Sequence, residues 1–216
     1  MQRPLRFAGL LLALTALASG CSAPERSRAL GNPAISGKTL ALQVCANCHG
    51  VEGISTSPNF PHLAAQSAAY LEIQLKSYRG HSRADPAGYE YMWGLSARLT
   101  DAQIADLAAY FSSQRPPAGK PGEPMLVAAG KTIYDDGIPA SNTPNCVNCH
   151  GAKGEGVGQF PRLSGQHADY VMKQLTVFQR TDERPEGSVM KLVAHGLTAE
   201  NMASVAAYIE ALPVQP

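Results

Sequence analysis

Cys45-Ala46-Asn47-Cys48-His49-Gly50 and Cys146-Val147-Asn148-Cys149-His150-Gly151 are the two stretches whose reading decides the fold. Each places two thiols three positions apart with a histidine directly after the second. One chemistry uses every part of that spacing: the thiols add across the two vinyl groups of one haem, and the adjacent imidazole is held beneath the iron as an axial nitrogen ligand. A zinc site built from the two pairs would leave both histidines without a task and would have to join pairs 101 residues apart. A thioredoxin-like dithiol calls for one pair beside a βαβ pattern, and a structural disulfide within each pair again leaves the histidines idle. The reading is two covalently attached haem c groups, bonded to Cys45, Cys48, Cys146 and Cys149, with His49 and His150 on the irons.

Outward from the motifs, the second half repeats the first almost register for register. Gly37-Lys38-Thr39 recurs as Gly130-Lys131-Thr132. Phe60-Pro61 with Leu63 and Gln66 returns as Phe160-Pro161 with Leu163 and Gln166, and Tyr70, Gln74 and Leu75 return as Tyr170, Gln174 and Leu175, all at an offset of 100. Leu99-Thr100 matches Leu197-Thr198, and Ala108-Ala109-Tyr110 matches Ala206-Ala207-Tyr208, at an offset of 98. The chain is a tandem duplication with domains at 34–114 and 125–216. Between them lie residues 115–124, Arg115-Pro116-Pro117-Ala118-Gly119-Lys120-Pro121-Gly122-Glu123-Pro124, whose prolines remove donors and stiffen the backbone into an extended linker. Residues 22–33 read as a second tether.

Within each repeat the periodicity is helical and nothing reads as a strand, so the fold class is all-α. Thr100 caps a helix with Gln103 closing a capping box, and Ile104, Leu107, Ala108 and Phe111 fall on one face. Thr198 does the same for Met202, Val205, Ala206 and Ile209. Tyr70 to Tyr78 and Tyr170 to Phe178 form a second amphipathic helix per half, with Leu71, Leu75 and Tyr78 inward, and a short helix leads into each haem motif. Aromatic residues make up 6% of the chain, so each small domain has a thin core that the macrocycle must complete.

A sixth iron ligand ought to appear in both copies. Met92 and Met190 do, each seven residues before the shared Leu-Thr, after irregular segments such as Asp85-Pro86-Ala87-Gly88 where a loop can drape over the distal face. Met172 pairs with Glu72, Met202 with Ile104, and Met125 has no counterpart, so these read as core or surface. His62 faces Arg162 in the alignment, and His81, His167 and His195 have no repeated partner.

Composition narrows the rest. With 18 basic and 17 acidic residues among 216, the chain offers no charge on which to argue nucleic-acid binding. The uncharged stretch Phe7 to Gly20, preceded by Arg3 and Arg6, reads as a secretory leader too short to span a bilayer comfortably. Two cleavage readings compete. Ala16-Leu17-Ala18 fits an ordinary A-x-A site, while Leu17-Ala18-Ser19-Gly20-Cys21 resembles the lipobox of bacterial lipoproteins, with Ala18 a less usual occupant of its place. The lipobox also accounts for Cys21, the one cysteine left once four are assigned; otherwise Cys21 leaves with the leader.

Taken together, the two Cys-x-x-Cys-His-Gly motifs, the Pro-x-Leu-x-x-Gln segments, the Tyr…Gln-Leu helices, the Met then Leu-Thr segments and the Ala-Ala-Tyr helices resemble the dihaem cytochrome c4 family over nearly all the mature chain. The resemblance implies two class I cytochrome c domains about an approximate two-fold. It also implies a periplasmic one-electron carrier between a quinol-oxidising complex and a terminal oxidase. It places Pro61 and Pro161 where their carbonyls would meet the Nδ1 of the axial histidines. Departures are the extra length from Tyr134 to Asn145 and the possible lipid anchor at Cys21. Two His/Met irons leave no place for a substrate, so the expected work is outer-sphere. The alternatives are an electron-accepting subunit of a membrane dehydrogenase and a dihaem enzyme, a peroxidase or sulfur-compound dehydrogenase, which would need Met92 and Met190 to be asymmetric.

Overall fold

In a computed structural model of the protein, the residues described are 27–212. Cys21, the leader and the start of the first tether lie outside the described residues. In the first half Ser36 caps α1 (Gly37–Leu40), its hydroxyl accepting from the Thr39 N–H. The helix continues through a π turn (Ala41–Cys45) into α2 (Ala46–His49), so the first haem motif rides on the end of the entry helix. In the second half α6 (Pro124–Asp136) and α7 (Val147–His150) are the equivalents, separated by residues 137–146, which hold most of the extra length and Cys146. The lead-in helix there is longer than the sequence suggests, with 13 residues. Pro124 supplies a first turn already set at helical φ, and both Glu123 carboxylate oxygens accept from the Met125 and Leu126 N–H groups. Pro124 therefore belongs to α6 and not to the linker.

Each half then adds a middle helix, α3 (Ala68–Arg79) or α8 (Ala168–Arg180), and a last helix, α5 (Asp101–Ser112) or α10 (Ala199–Ala211). Both capping boxes form. Thr100 Oγ1 accepts from the Gln103 N–H at 3.1 Å and Gln103 Oε1 accepts from the Thr100 N–H at 3.2 Å; the Thr198 and Asn201 pair repeats this at 3.1 and 3.0 Å. The Gln103 amide also donates to the Asn32 and Ile35 carbonyls at 2.9 and 3.0 Å. That bond, with Leu30 packed on the first core, docks the end of the stretch read from sequence as a tether.

The apolar stripes become two separate cores. Leu40, Leu71, Leu99, Ile104, Leu107 and Phe111 build the first, and Ile133, Val171, Leu197, Met202, Val205 and Ile209 the second. Leu75, expected inward, is half-buried against its core. Among the described residues, β pairing is limited to two isolated bridges, Ile138 with Thr143 and Val157 with Phe160.

The entry helix crosses the last helix in both halves, α1 over α5 and α6 over α10. The repeated glycines of the Gly-Lys-Thr segments stand at these crossings. A Cβ on Gly37 would overlap Asp106 and Leu107, and one on Gly130 would fall on the Ser204 carbonyl. Gly130→Ala is expected to cost about 1–3 kcal/mol through this overpacking, read as a lowered denaturation midpoint of the holoprotein. Lys131→Ala, on the same helix and exposed, should stay within a few tenths of a kcal/mol of the parent.

Candidate functional site

The two cysteine pairs sit on the helical turns that end α2 and α7, and all four thiols are free. Burial pushes the Cys45 and Cys146 thiols up to about 11, so both are neutral at pH 7. Among the described residues, no three His, Cys, Asp or Glu side chains gather into a metal-holding cluster. After each motif comes a glycine at positive φ, +79° at Gly50 and +83° at Gly151. There the chain turns sharply away, and a Cβ would strike Ile54 or Glu155.

His49 Nδ1 lies 2.9 Å from the Pro61 carbonyl, and His150 Nδ1 lies 2.9 Å from the Pro161 carbonyl. A carbonyl oxygen only accepts, so Nδ1 carries the proton in both rings and the lone pair is left on Nε2. Burial holds both imidazoles below their usual value, against the opposing pull of the same proline carbonyls, so they are neutral at pH 7. Phe60 and Phe160 stand edge-on to these rings at 6.1 and 6.3 Å.

Met92 and Met190 lie on helix, not on irregular loop. Met92 ends a π turn (Gly88–Met92) that runs directly into α4 (Trp93–Ser96), and Met190 lies in α9 (Val189–Ala194). Trp93 holds the first segment by donating from Nε1 to the Arg83 carbonyl at 2.8 Å, and its indole stacks on His81 at 4.3 Å. His62, His81 and His167 are engaged in protein contacts, Met202 is core and Met125 is exposed.

One cavity of about 630 Å³ runs through both halves. Cys45, Cys48, His49 and Met92 line it in the first half, and Cys146, Cys149, His150 and Met190 in the second. The rest of its wall is mainly aliphatic and aromatic, including Leu71, Leu107, Leu175 and Val205. Two buried oxygens on that wall, Asn145 Oδ1 and Glu186 Oε2, have no hydrogen-bond partner among the described residues. Paired thiols, a neutral imidazole with a free Nε2, a thioether and an apolar wall with orphaned polar atoms are the donor set and surroundings that fit haem c.

The cytochrome c family profile matches residues 34–115 and 127–213. Cytochrome c4 of Azotobacter vinelandii is 41% identical over 178 residues, 78% of this chain and 84% of its own. The crystal structure of reduced recombinant cytochrome c4 from Pseudomonas stutzeri superposes with a TM-score of 0.73 at 36% identity, covering 82% of this chain and 96% of that one. A relative named thiosulfate dehydrogenase electron acceptor, from Stutzerimonas stutzeri, is 32% identical over 184 residues, 80% of each chain. The chain belongs to the dihaem cytochrome c4 family. It carries two covalently bound haem c groups and transfers electrons with redox partner proteins; it is not an enzyme, which sets aside the dihaem peroxidase and dehydrogenase readings.

Between the two halves of this cytochrome c4 lies a polar network that the sequence did not announce. Gln66 Nε2 donates to the Arg162 carbonyl at 3.0 Å while the Arg162 N–H donates to Gln66 Oε1 at 2.7 Å. Gln166 treats His62 identically, at 3.0 and 2.9 Å. Deeper in, the Arg83 and Arg184 guanidiniums each bond both Gln74 and Gln174, one from either half. Arg83 pairs with Asp85 and Arg184 with Glu186, and each guanidinium lies 4.5 Å over a ring, Tyr78 or Phe178. Reciprocal contacts of this kind are the signature of an approximate two-fold. The glutamines recur in the repeats, which is the signal that could have marked them.

Asp85 is 0% exposed and Arg83 2% exposed. Burial alone would raise the Asp85 carboxyl, but Arg83 holds it below its usual value by charge and hydrogen bond. A carboxylate depressed in the folded state contributes stability above the unfolded value near pH 4 that is lost as pH falls below it. Asp85→Asn leaves Arg83 without its counter-charge and is expected to cost about 3–5 kcal/mol at pH 7. The variant should also lose part of the parent's further destabilisation on titration from pH 5 to pH 3, both read by denaturant unfolding.

Proposed function

We propose that this cytochrome is a periplasmic one-electron carrier in which Cys45, Cys48, Cys146 and Cys149 hold the haems. In this reading His49 and Met92 bind one iron and His150 and Met190 the other, in domains spanning 34–114 and, with Pro124 at the head of α6, 124–216. The observation that carries the reading is that each half presents the same four groups on the wall of one cavity: two thiols, an imidazole with its lone pair on Nε2, and a thioether. Haem bound there supplies a one-electron iron couple, and thioether ligation raises its potential. The protein residues do the rest. Pro61 and Pro161 fix the imidazole tautomer and raise its basicity, and the aliphatic wall keeps water from the reacting centre.

Reduced protein is expected to give no optical response to carbon monoxide at neutral pH, because both irons have six protein and macrocycle ligands. Met92→Ala and Met190→Ala should each open one iron to it. Rapid binding at one haem of the unaltered protein would overturn the closed ligation and move the search to a substrate.

The electron donor and acceptor in this reading are a quinol-oxidising complex and a terminal oxidase. A fixed place as the electron-accepting subunit of a dehydrogenase is the second reading, favoured by the relative named thiosulfate dehydrogenase electron acceptor, which matches over most of both chains. Purification from membranes separates the two: a mobile carrier is recovered alone, whereas stoichiometric retention with a dehydrogenase establishes the subunit.

Membrane attachment in this proposal comes through a lipidated Cys21, on the strength of the lipobox-like Leu17-Ala18-Ser19-Gly20-Cys21; no helix among the described residues is long and apolar enough to cross a membrane. Cys21→Ser is expected to move the cytochrome from the membrane to the soluble periplasmic fraction. Unchanged fractionation would leave ordinary leader cleavage.

A further inference from the structure

The peptide group joining Pro61 to His62 is bonded at both ends. Its oxygen accepts from His49 Nδ1 at 2.9 Å, and its N–H donates to Gln166 Oε1 at 2.9 Å. The peptide group joining Pro161 to Arg162 repeats the arrangement, with His150 Nδ1 at 2.9 Å and Gln66 Oε1 at 2.7 Å. In each case the glutamine comes from the opposite half of the chain. Both glutamine side chains are buried, and each amide is fixed by a return bond to the carbonyl of the same residue 62 or 162, at 3.0 Å.

We propose that Gln166 and Gln66 are positioning residues that act across the interface, each tuning the axial histidine of the other half through a single peptide group. Hydrogen bonds in series polarise one another by roughly 10–30% per bond. An amide oxygen accepting from the peptide N–H puts more negative charge on the proline carbonyl, which strengthens its bond to Nδ1–H and makes the imidazole more basic toward iron. A more basic imidazole favours the ferric state. Each half thereby lowers the potential of its neighbour's haem without touching it. The assignment rests on His49 and His150 being the iron ligands.

The test uses the holoprotein carrying Gln166→Leu or Gln66→Leu, with redox titration of both haems and proton NMR of the oxidised protein. The axial histidine Nδ1–H signals are assigned to their halves through Phe60 and Phe160, which lie edge-on to the two rings. Gln166→Leu, in the second half, should raise the midpoint of the first-half haem, move the His49 Nδ1–H signal and speed exchange of the His62 amide, with the second-half haem unmoved. Gln66→Leu should give the mirror image. The expected change is about two- to tenfold in the reduced to oxidised ratio at fixed potential, since the glutamine acts one bond further out than the partners whose loss costs roughly 10–100-fold in metal affinity or activity. Equal shifts in both haems, or a shift confined to the mutated half, would show loosening of the interface and overturn the relay, as would no shift at all. Absence of hyperfine-shifted histidine Nδ1–H signals from the unaltered protein would instead remove the ligand assignment beneath it.

Discussion

Each half is built on a crossing that only glycine permits. The entry helix carries the cysteines and the histidine, and the last helix carries the apolar stripe and the capping box. Their separation is set where Gly37 lies on Asp106 and Leu107, and where Gly130 lies on Ser204. From that contact the rest follows in order. The motif turn reaches the cavity at the end of the entry helix, and Gly50 or Gly151 turns the chain away at positive φ. The returning chain then brings Pro61 or Pro161 under the imidazole, and in the first half Trp93, bonded to the Arg83 carbonyl, holds the segment bearing Met92.

The duplicated halves dock face to face, and a polar network is buried between them. Two guanidiniums approach each other there, tolerated because Asp85 and Glu186 balance the charge and because Gln74 and Gln174 accept from both. Burying a charge is costly unless it is paired and hydrogen-bonded, and each of these arginines is both. A second layer of the interface, formed by Gln66 and Gln166, reaches the peptide groups that orient the histidines, so docking and ligand geometry are one structural problem in this molecule.

The two-fold is approximate in chemistry as well as in shape. Arg162 keeps a half-buried cation beside Pro161, donating to the Ala65 carbonyl and the Ser164 hydroxyl. Its counterpart His62 is pushed down to about 4 by burial and by the neighbouring His167, with His49 adding to the effect, and is neutral at pH 7. The surfaces near the two methionines differ too: Tyr89 and Tyr91 are exposed on one side, Val189 and Leu192 on the other. Two sites with the same candidate ligands thus stand in different electrical and contact environments.

Much of this was legible from the chain alone. The spacing of the cysteines and histidines, the capping boxes and the apolar stripes are local patterns with periods of a helical turn. Duplication then separated Met92 and Met190 from the other methionines, because noise does not repeat in register. Pro124 at the head of α6, the helical setting of both methionines and the docking of Leu30 and Asn32 were not legible, since each depends on a contact with a distant segment. The same holds for Gln66, Gln74, Arg83 and their partners. A glutamine in the loop before an amphipathic helix, such as Gln66 or Gln166, carries no mark of the backbone it will meet about 100 residues away, and that meeting exists only once two folded halves are pressed together. Sequence by itself determined the helices, the haem motifs and the duplication, because these are written in short-range spacing. Tertiary structure alone decided the interface and the peptide bridges across it, because their energies arise between groups that the chain order keeps apart.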